Sequence, residues 1–245
     1  MSEQTIKTLL RNDDQSAAQK IGFLLLNDFS MLAFSAAIEP LRQANRQSNK
    51  ELFDWVIASI DGNPSKASNG VVISCDGASD ILQNCRMVFV CAGINVRANT
   101  DKSVLNIVRR LDRNGAVIGA ICTGTYVMAA AGLLEDRRCT IHWENIDGLA
   151  EEFPELEITN DLFEVDGTRV TCSGGTAALD MMLNLITQTH GAQLAAEVSD
   201  QFIHDRIREP TDRQRMELRS RIGVSHPKLL AVVKTMEDNL EEPLA

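Results

Sequence analysis

Residues 115–134 read G-A-V-I-G-A-I-C-T-G-T-Y-V-M-A-A-A-G-L-L. A short β-type run at Val117 and Ile118 leads into Ala120-Ile121-Cys122-Thr123-Gly124, then into an Ala/Met-rich helix. A lone cysteine between small residues at a strand-to-helix junction has the layout of a nucleophile elbow. Ala120 and Gly124 flank it two positions either side and leave room for a sharp backbone turn. The sulfur is then expected at the top of a sheet, at the positive end of a helix, where a thiol pKa tends to fall.

Working outward, the chain alternates apolar runs with helical periods. Ile21–Leu26 is continuously apolar, as a buried parallel strand is. Leu32 to Arg46 has helical spacing, with Ser30 as N-cap. Phe53 to Ile60 reads as strand and ends in the turn Asp61-Gly62-Asn63-Pro64. Val71 to Ser74 reads as a short strand or hairpin arm, and Met87 to Cys91 as a buried strand ending at Ala92-Gly93. Asp101 to Arg113 is an amphipathic helix. Beyond the elbow, Cys139 to His142 is extended and Trp143 to Phe153 helical. Leu162–Val165 and Arg169–Cys172 form a hairpin around Asp166-Gly167. Ser173 is expected to cap a helix over Gly174 to Thr189, with another over Ala192 to Ile207. The alternation predicts an α/β fold with a doubly wound, mostly parallel sheet and helices on both faces. Ligands of such sheets bind outside the carboxyl ends of the strands. Asn27-Asp28, Gly93-Ile94-Asn95 and Cys122-Thr123 are the strand ends expected to converge on one pocket.

Bulk properties narrow the function. The 245 residues carry a net charge of −10, which opposes tight nucleic-acid binding by these residues and suits a soluble cytosolic protein. The six cysteines make no C-x-x-C pair and no zinc framework, so they read as reduced core thiols. No metal cluster is visible among the four histidines, and no cofactor motif stands out. The N-terminus lacks an apolar signal core. The uncharged run Asn114 to Leu134 is long enough to span a membrane, but its glycines, threonines and internal turn fit a buried strand and helix better. Residues 1–19 are polar and read as a mobile tail. From Arg206 to Arg221, arginines interleave with acids, as on a solvated, salt-bridged helix. One more helical stretch follows over Lys228 to Leu240.

The elbow, the element order and T-I-H-W-E-N (residues 140–145) resemble the PfpI-like, class I glutamine amidotransferase-like superfamily. Within it, the chain is similar to the sensor half of AraC-family transcriptional regulators of the GlxA type. The stretches that carry this are A-I-E-P-L-R-Q-A-N-R (37–46), T-C-S-G-G-T-A-A-L-D-M-M-L (171–183), H-P-K-L-L (226–230) and L-E-E-P-L (240–244). The resemblance runs from about Ile21 to the last residue. It implies a flavodoxin-like sandwich, with residues 20–207 as the effector-sensing domain and 208–245 as a helical linker. In that family a helix-turn-helix DNA-binding domain follows the E-E-P-L region, so the implied DNA reader lies outside this sequence. The subgroup includes regulators of arginine, glycine betaine and carnitine catabolism. A small-molecule effector and a homodimer are the implied partners.

Enzymatic relatives of this fold pair the elbow cysteine with a histidine directly after it, or with a glutamate from the first strand's helix. Here Thr123 follows the cysteine, and Ala33 stands at the position aligned with the glutamate. Nucleophilic catalysis needs an adjacent base or a strongly depressed pKa. Cys122 is therefore read mainly as lining a ligand pocket, with a reactive thiolate or a packed relic as the alternatives. His142 reads as a dyad base, a ligand donor or a structural hydrogen-bonder beside Trp143. Gly93 and Thr123 would offer backbone N–H groups to a carboxylate, with Asn95 beside them. Trp143 and Glu144 would meet a cation. The expected reading is a non-enzymatic sensor; the alternative is a stand-alone cysteine hydrolase or hydratase using Cys122 with His142.

Overall fold

A computed structural model describes residues 18–216, 222–223 and 226–237. The N-terminal stretch expected as a tail falls almost wholly outside these residues. The chain runs β1 (Gln19–Leu25), α1 (Met31–Ser48), β2 (Phe53–Ser59), β3 (Ser65–Lys66), β4 (Val72–Ile73) and β5 (Gly77–Ala78). A 3-10 turn (Ser79–Asn84), β6 (Met87–Cys91), α2 (Lys102–Arg113), β7 (Val117–Ile121) and α3 (Gly124–Ala130) follow. Next come β8 (Arg138–Thr140), a 3-10 turn (Trp143–Asn145), α4 (Ile146–Glu152), β9 (Glu157–Thr159), β10 (Phe163–Asp166) and β11 (Arg169–Cys172). The described part ends with α5 (Ala177–His190), α6 (Ala192–Gln201) and α7 (Pro227–Glu237).

The main sheet has seven strands in the order β10-β11-β7-β6-β1-β2-β5. Every neighbouring pair is parallel except the β10–β11 hairpin. The longer parallel strands thus lie in the order β2-β1-β6-β7-β11, which is the flavodoxin-like arrangement. Winding reverses between β1 and β6, so the crevice beyond their carboxyl ends is the topological switch point. The expected doubly wound α/β sandwich is the fold observed.

Alternation within each apolar run explains the two cores. Ile21, Phe23 and Leu25 of β1 face one cluster with Phe34, Leu41, Met181, Ile186 and Val198 from α1, α5 and α6. Leu24 and Leu26 face the other, with Val104, Val108, Leu111, Val127, Met128 and Leu149 from α2, α3 and α4. Both faces of the sheet are buried, so its strands read as unbroken apolar runs. Gly119 makes room for an aromatic ring: a Cβ there would stand 2.3 Å from Phe89 Cδ1. The α2 helix shows the logic at its ends. Asp101 Oδ1 accepts from the N–H groups of Ser103 and Val104 at 2.8 and 3.0 Å, a cap worth about 1 kcal/mol. Its buried Val104, Ile107, Val108 and Leu111 contribute roughly 1.5–3 kcal/mol each.

Several local expectations are corrected. Ser173 does not cap a helix: Gly174 and Gly175 take φ of 92° and 55°, and α5 starts only at Ala177 after Thr176. The stretch expected as one helix from Trp143 divides into a 3-10 turn and α4. Helix α6 ends at Gln201 rather than Ile207, where Phe202 and Ile203 turn out of it and Ile203 adopts φ 54°. The arginine-rich stretch is not helical over its described residues 206–216. Polar contacts to the domain take the place of helical hydrogen bonds there. Within the stretch read as a short strand or hairpin arm, Val72–Ile73 pairs antiparallel with Ser65–Lys66 and so forms the hairpin arm. The last expected helix is present as α7 up to Glu237; residues 238–240 lie outside the described residues.

Candidate functional site

The elbow is present. Cys122 adopts φ 60°, a left-handed conformation that costs a non-glycine residue on the order of 1–3 kcal/mol. Tight packing holds it. Its N–H donates to Cys172 O at 2.9 Å, bolting the turn to β11. Gly124 must be glycine, because a Cβ there would stand 2.2 Å from Val90 O. On the other side, a Cβ on Gly174 would come within 2.7 Å of the Cys122 Cβ. The strained cysteine is over-determined by three backbones.

The sulfur is not activated. Cys122 is only 8% exposed, and burial pushes its thiol up to about 11. The Thr123 backbone N–H pulls the other way and loses, while the charge of Glu144 adds to the rise. The expected fall of the thiol pKa at a helix start is therefore not found: desolvation is the largest influence and raises it. Among the described residues no imidazole or carboxylate hydrogen-bonds to Cys122. Burial also lowers the His142 pKa, partly opposed by Glu144. His142 Nδ1 accepts from Glu144 N at 3.4 Å, so the ring is turned to its own chain. Thr123 Oγ1 donates to Gly93 O at 2.6 Å and ties the ends of β7 and β6 together.

The strand ends do meet. Asn95 Nδ2 donates to Asp28 Oδ2 at 3.0 Å across the switch point, and Asn99 Nδ2 donates to Asn27 O at 2.9 Å. Gly93 lies so close to the β1 end that a Cβ would sit 2.2 Å from Asp28 O. These contacts tie the ends of β1 and β6 together at the crevice. Two cavities lined by described residues each take some of the expected site residues. A cavity of about 190 Å³ is lined by His142, Trp143, the Ser173–Ala177 turn, Arg208 and Gln214. A second, of about 340 Å³, is lined by Asn95, Glu144, Arg97 and Tyr126 among others. Cys122, Thr123 and Gly93 are buried beneath the edge and line neither.

Residues after α6 complete the smaller cavity, and sequence reasoning did not place them there. Arg208 Nε and Nη2 donate to Asp180 Oδ2 at 2.9 and 2.6 Å, and Nη2 also reaches Thr176 Oγ1 at 2.8 Å. Leu162 N donates to Pro210 O at 2.7 Å. Gln214 Nε2 lies 2.9–3.1 Å from Thr140 Oγ1, Ile141 O and Asp161 O. The Arg215 guanidinium stacks 4.2 Å above the Trp143 ring centroid. No sequence signal joins these arginines to a tryptophan some seventy positions earlier. Among the described residues, no group of three or more His, Cys, Asp or Glu side chains is placed to hold a metal ion. No helix among them is long and apolar enough to cross a membrane.

A flavodoxin-like sandwich with a cysteine elbow at the end of β7 defines a class of α/β domain. The chain belongs to the DJ-1/PfpI family, whose pattern its residues 19–188 match. It is 47% identical over 227 residues to the HTH-type transcriptional regulator CdhR of Pseudomonas aeruginosa, covering 93% of this chain and 67% of that protein. It is 41% identical over 226 residues to the HTH-type transcriptional regulator GbdR of the same species, covering 92% of this chain and 62% of the relative. The chain thus spans about two thirds of the length of these regulators. A solved AraC family transcriptional regulator from Pseudomonas putida superposes with a TM-score of 0.69 at 26% identity, over 75% of this chain and 99% of that one.

Proposed function

We propose that this chain is the effector-sensing part of a transcriptional regulator. Residues 20–207 form the sensing unit, and residues 208–245 lead toward a DNA-reading domain. The effector is a small amine-bearing carboxylate such as arginine, glycine betaine or carnitine. The observation that carries the reading is the intact elbow, whose thiol burial has raised to about 11 and to which, among the described residues, no imidazole or carboxylate hydrogen-bonds. The turn at Cys122 is held by packing, and the relatives are regulators.

The effector sits at the carboxyl edge of the sheet. Its carboxylate is received beside the Ser173–Ala177 turn, in the cavity that Arg208 and Gln214 also line. Cys122, Thr123 and Gly93 form the buried floor that shapes this edge. The cation meets Trp143, with His142 tilted against it and Glu144 and Asn95 toward the neighbouring cavity. Binding shifts a pre-existing equilibrium between arrangements of the chain. The protein works in the cytoplasm as a homodimer, and its net charge of −10 leaves DNA contact to another domain.

A thermal-shift panel of arginine, glycine betaine, carnitine and related metabolites tests this. A true effector at about a hundred times its Kd adds roughly 2.7 kcal/mol. That raises Tm by roughly 5–10 °C for a domain of this size. Absence of any shift across amine-bearing carboxylates refutes the reading. The kept elbow at Cys122 favours one rival, a cysteine hydrolase or hydratase. Loss of a measurable turnover in Cys122→Ser would establish that rival, whereas unchanged effector binding in the same variant supports the sensor.

A further inference from the structure

After α6, residues 204–215 double back across the domain and end on the tryptophan that the sensor reading assigns to the effector's cation. This strap has two unlike parts. Its root is held by a buried charge: Asp180 is 0% exposed, accepts from the Arg208 backbone N–H at 2.7 Å and from its guanidinium, and lies 2.9 Å from His204 Nε2. Its tip is held by Gln214 and Arg215. Gln214 Nε2 has two N–H groups to share among three acceptors, and among the described residues its buried Oε1 has no partner. An unpaired buried acceptor penalises the docked state and is rehydrated on release. The Arg215 guanidinium lies on the Trp143 face, and among the described residues no carboxylate pairs with it.

We propose that Arg215 is a built-in occupant of the cation subsite: a guanidinium or alkylammonium group of the effector displaces it from Trp143 and lifts the strap's tip about the Arg208–Asp180 root. The inference rests on the sensor reading and gives it a mechanism. A ring face accepts one cation at a time, so ligand and strap exclude each other there. The root stays fixed because undocking it would strand the Asp180 charge. Occupancy of the site is thereby converted into freedom of the segment that leads to the C-terminus. The ligand class follows from the occupant, which is a flat cation on a short alkyl stem.

The test uses the chain as it stands, with L-arginine, glycine betaine and tetramethylammonium as probes in titration calorimetry. Arg215→Ala uncovers the ring without touching the core, and binding of the cationic probe tightens about two- to fivefold. Trp143→Ala in the same background removes the gain. In the unsubstituted chain, saturating probe speeds amide exchange over residues 209–215 and leaves residues 204–208 protected. A probe that binds with unchanged or weaker affinity to Arg215→Ala, or that leaves exchange at the tip unaltered, overturns the displacement while the sensor reading stands. Failure of all three probes to bind either form overturns the displacement, and silence across the full amine-carboxylate panel as well overturns the sensor reading.

Discussion

Asp180→Asn is the sharpest perturbation of the strap. The carboxylate lies in α5 with no exposure, and Arg208 Nε, Nη2 and backbone N–H all donate to it. Asparagine keeps the shape but removes the charge, and it turns one acceptor into an amide facing other donors. Breaking a buried ion pair from one side costs about 3–5 kcal/mol. The Arg208 side chain keeps 25% exposure, so water softens the loss and the lower figure, about 3 kcal/mol, applies. Residues 202–216 contribute no strand to the sheet, so the cost has two outlets. If the strap stays docked, Tm falls by roughly 6–12 °C. If it peels away first, the global loss is smaller and tryptic cleavage after Arg206, Arg208 and Arg213 accelerates. Differential scanning calorimetry and timed proteolysis, run together, separate the two. Arg208→Met beside Asp180→Asn closes a double-mutant cycle, and the double variant should lose less than the two single variants added. A Tm within about 2 °C of the parent, with unchanged cleavage, would refute the view that this buried carboxylate anchors the strap.

Two pH responses follow from burial. With its thiol raised to about 11, Cys122 holds on the order of 0.1% thiolate at pH 8, and its alkylation by iodoacetamide should climb about tenfold per pH unit through pH 10. Peptide-mapped labelling with a midpoint near neutrality would contradict this. His190, packed edge-on against Phe53, has its pKa lowered by burial. The unfolded chain then binds the proton more readily, so this contribution to stability is full above about pH 6.5 and is lost as pH falls through the folded value. Urea unfolding of His190→Gln should be flatter than the parent between pH 7.5 and 5; parallel curves would argue against a buried neutral imidazole.

What the sequence determined by itself is what short-range physics encodes. Unbroken apolar runs in β1, β6 and β7 announced strands buried on both faces. The spacing in α1 and α2, with Ser30 and Asp101 at their starts, announced capped amphipathic helices. Small residues around Cys122 announced the elbow, because only they tolerate three backbones at contact distance. Where local cues misled, a distant partner had prevailed. Ser173 looks like an N-cap, but Gly174 is drawn against Cys122 and delays the helix. The cysteine looks primed by a helix start, but desolvation raises its pKa instead. The arginine-rich stretch looks like an exposed helix, yet over its described residues 206–216 Asp180, Thr140 and Trp143 offer its polar groups better partners than its own backbone does. Only tertiary structure decided that the strand ends would lock to one another across the switch point. Only it placed a guanidinium on Trp143. Such contacts join residues far apart in the chain, and their energies depend on burial that no local pattern carries.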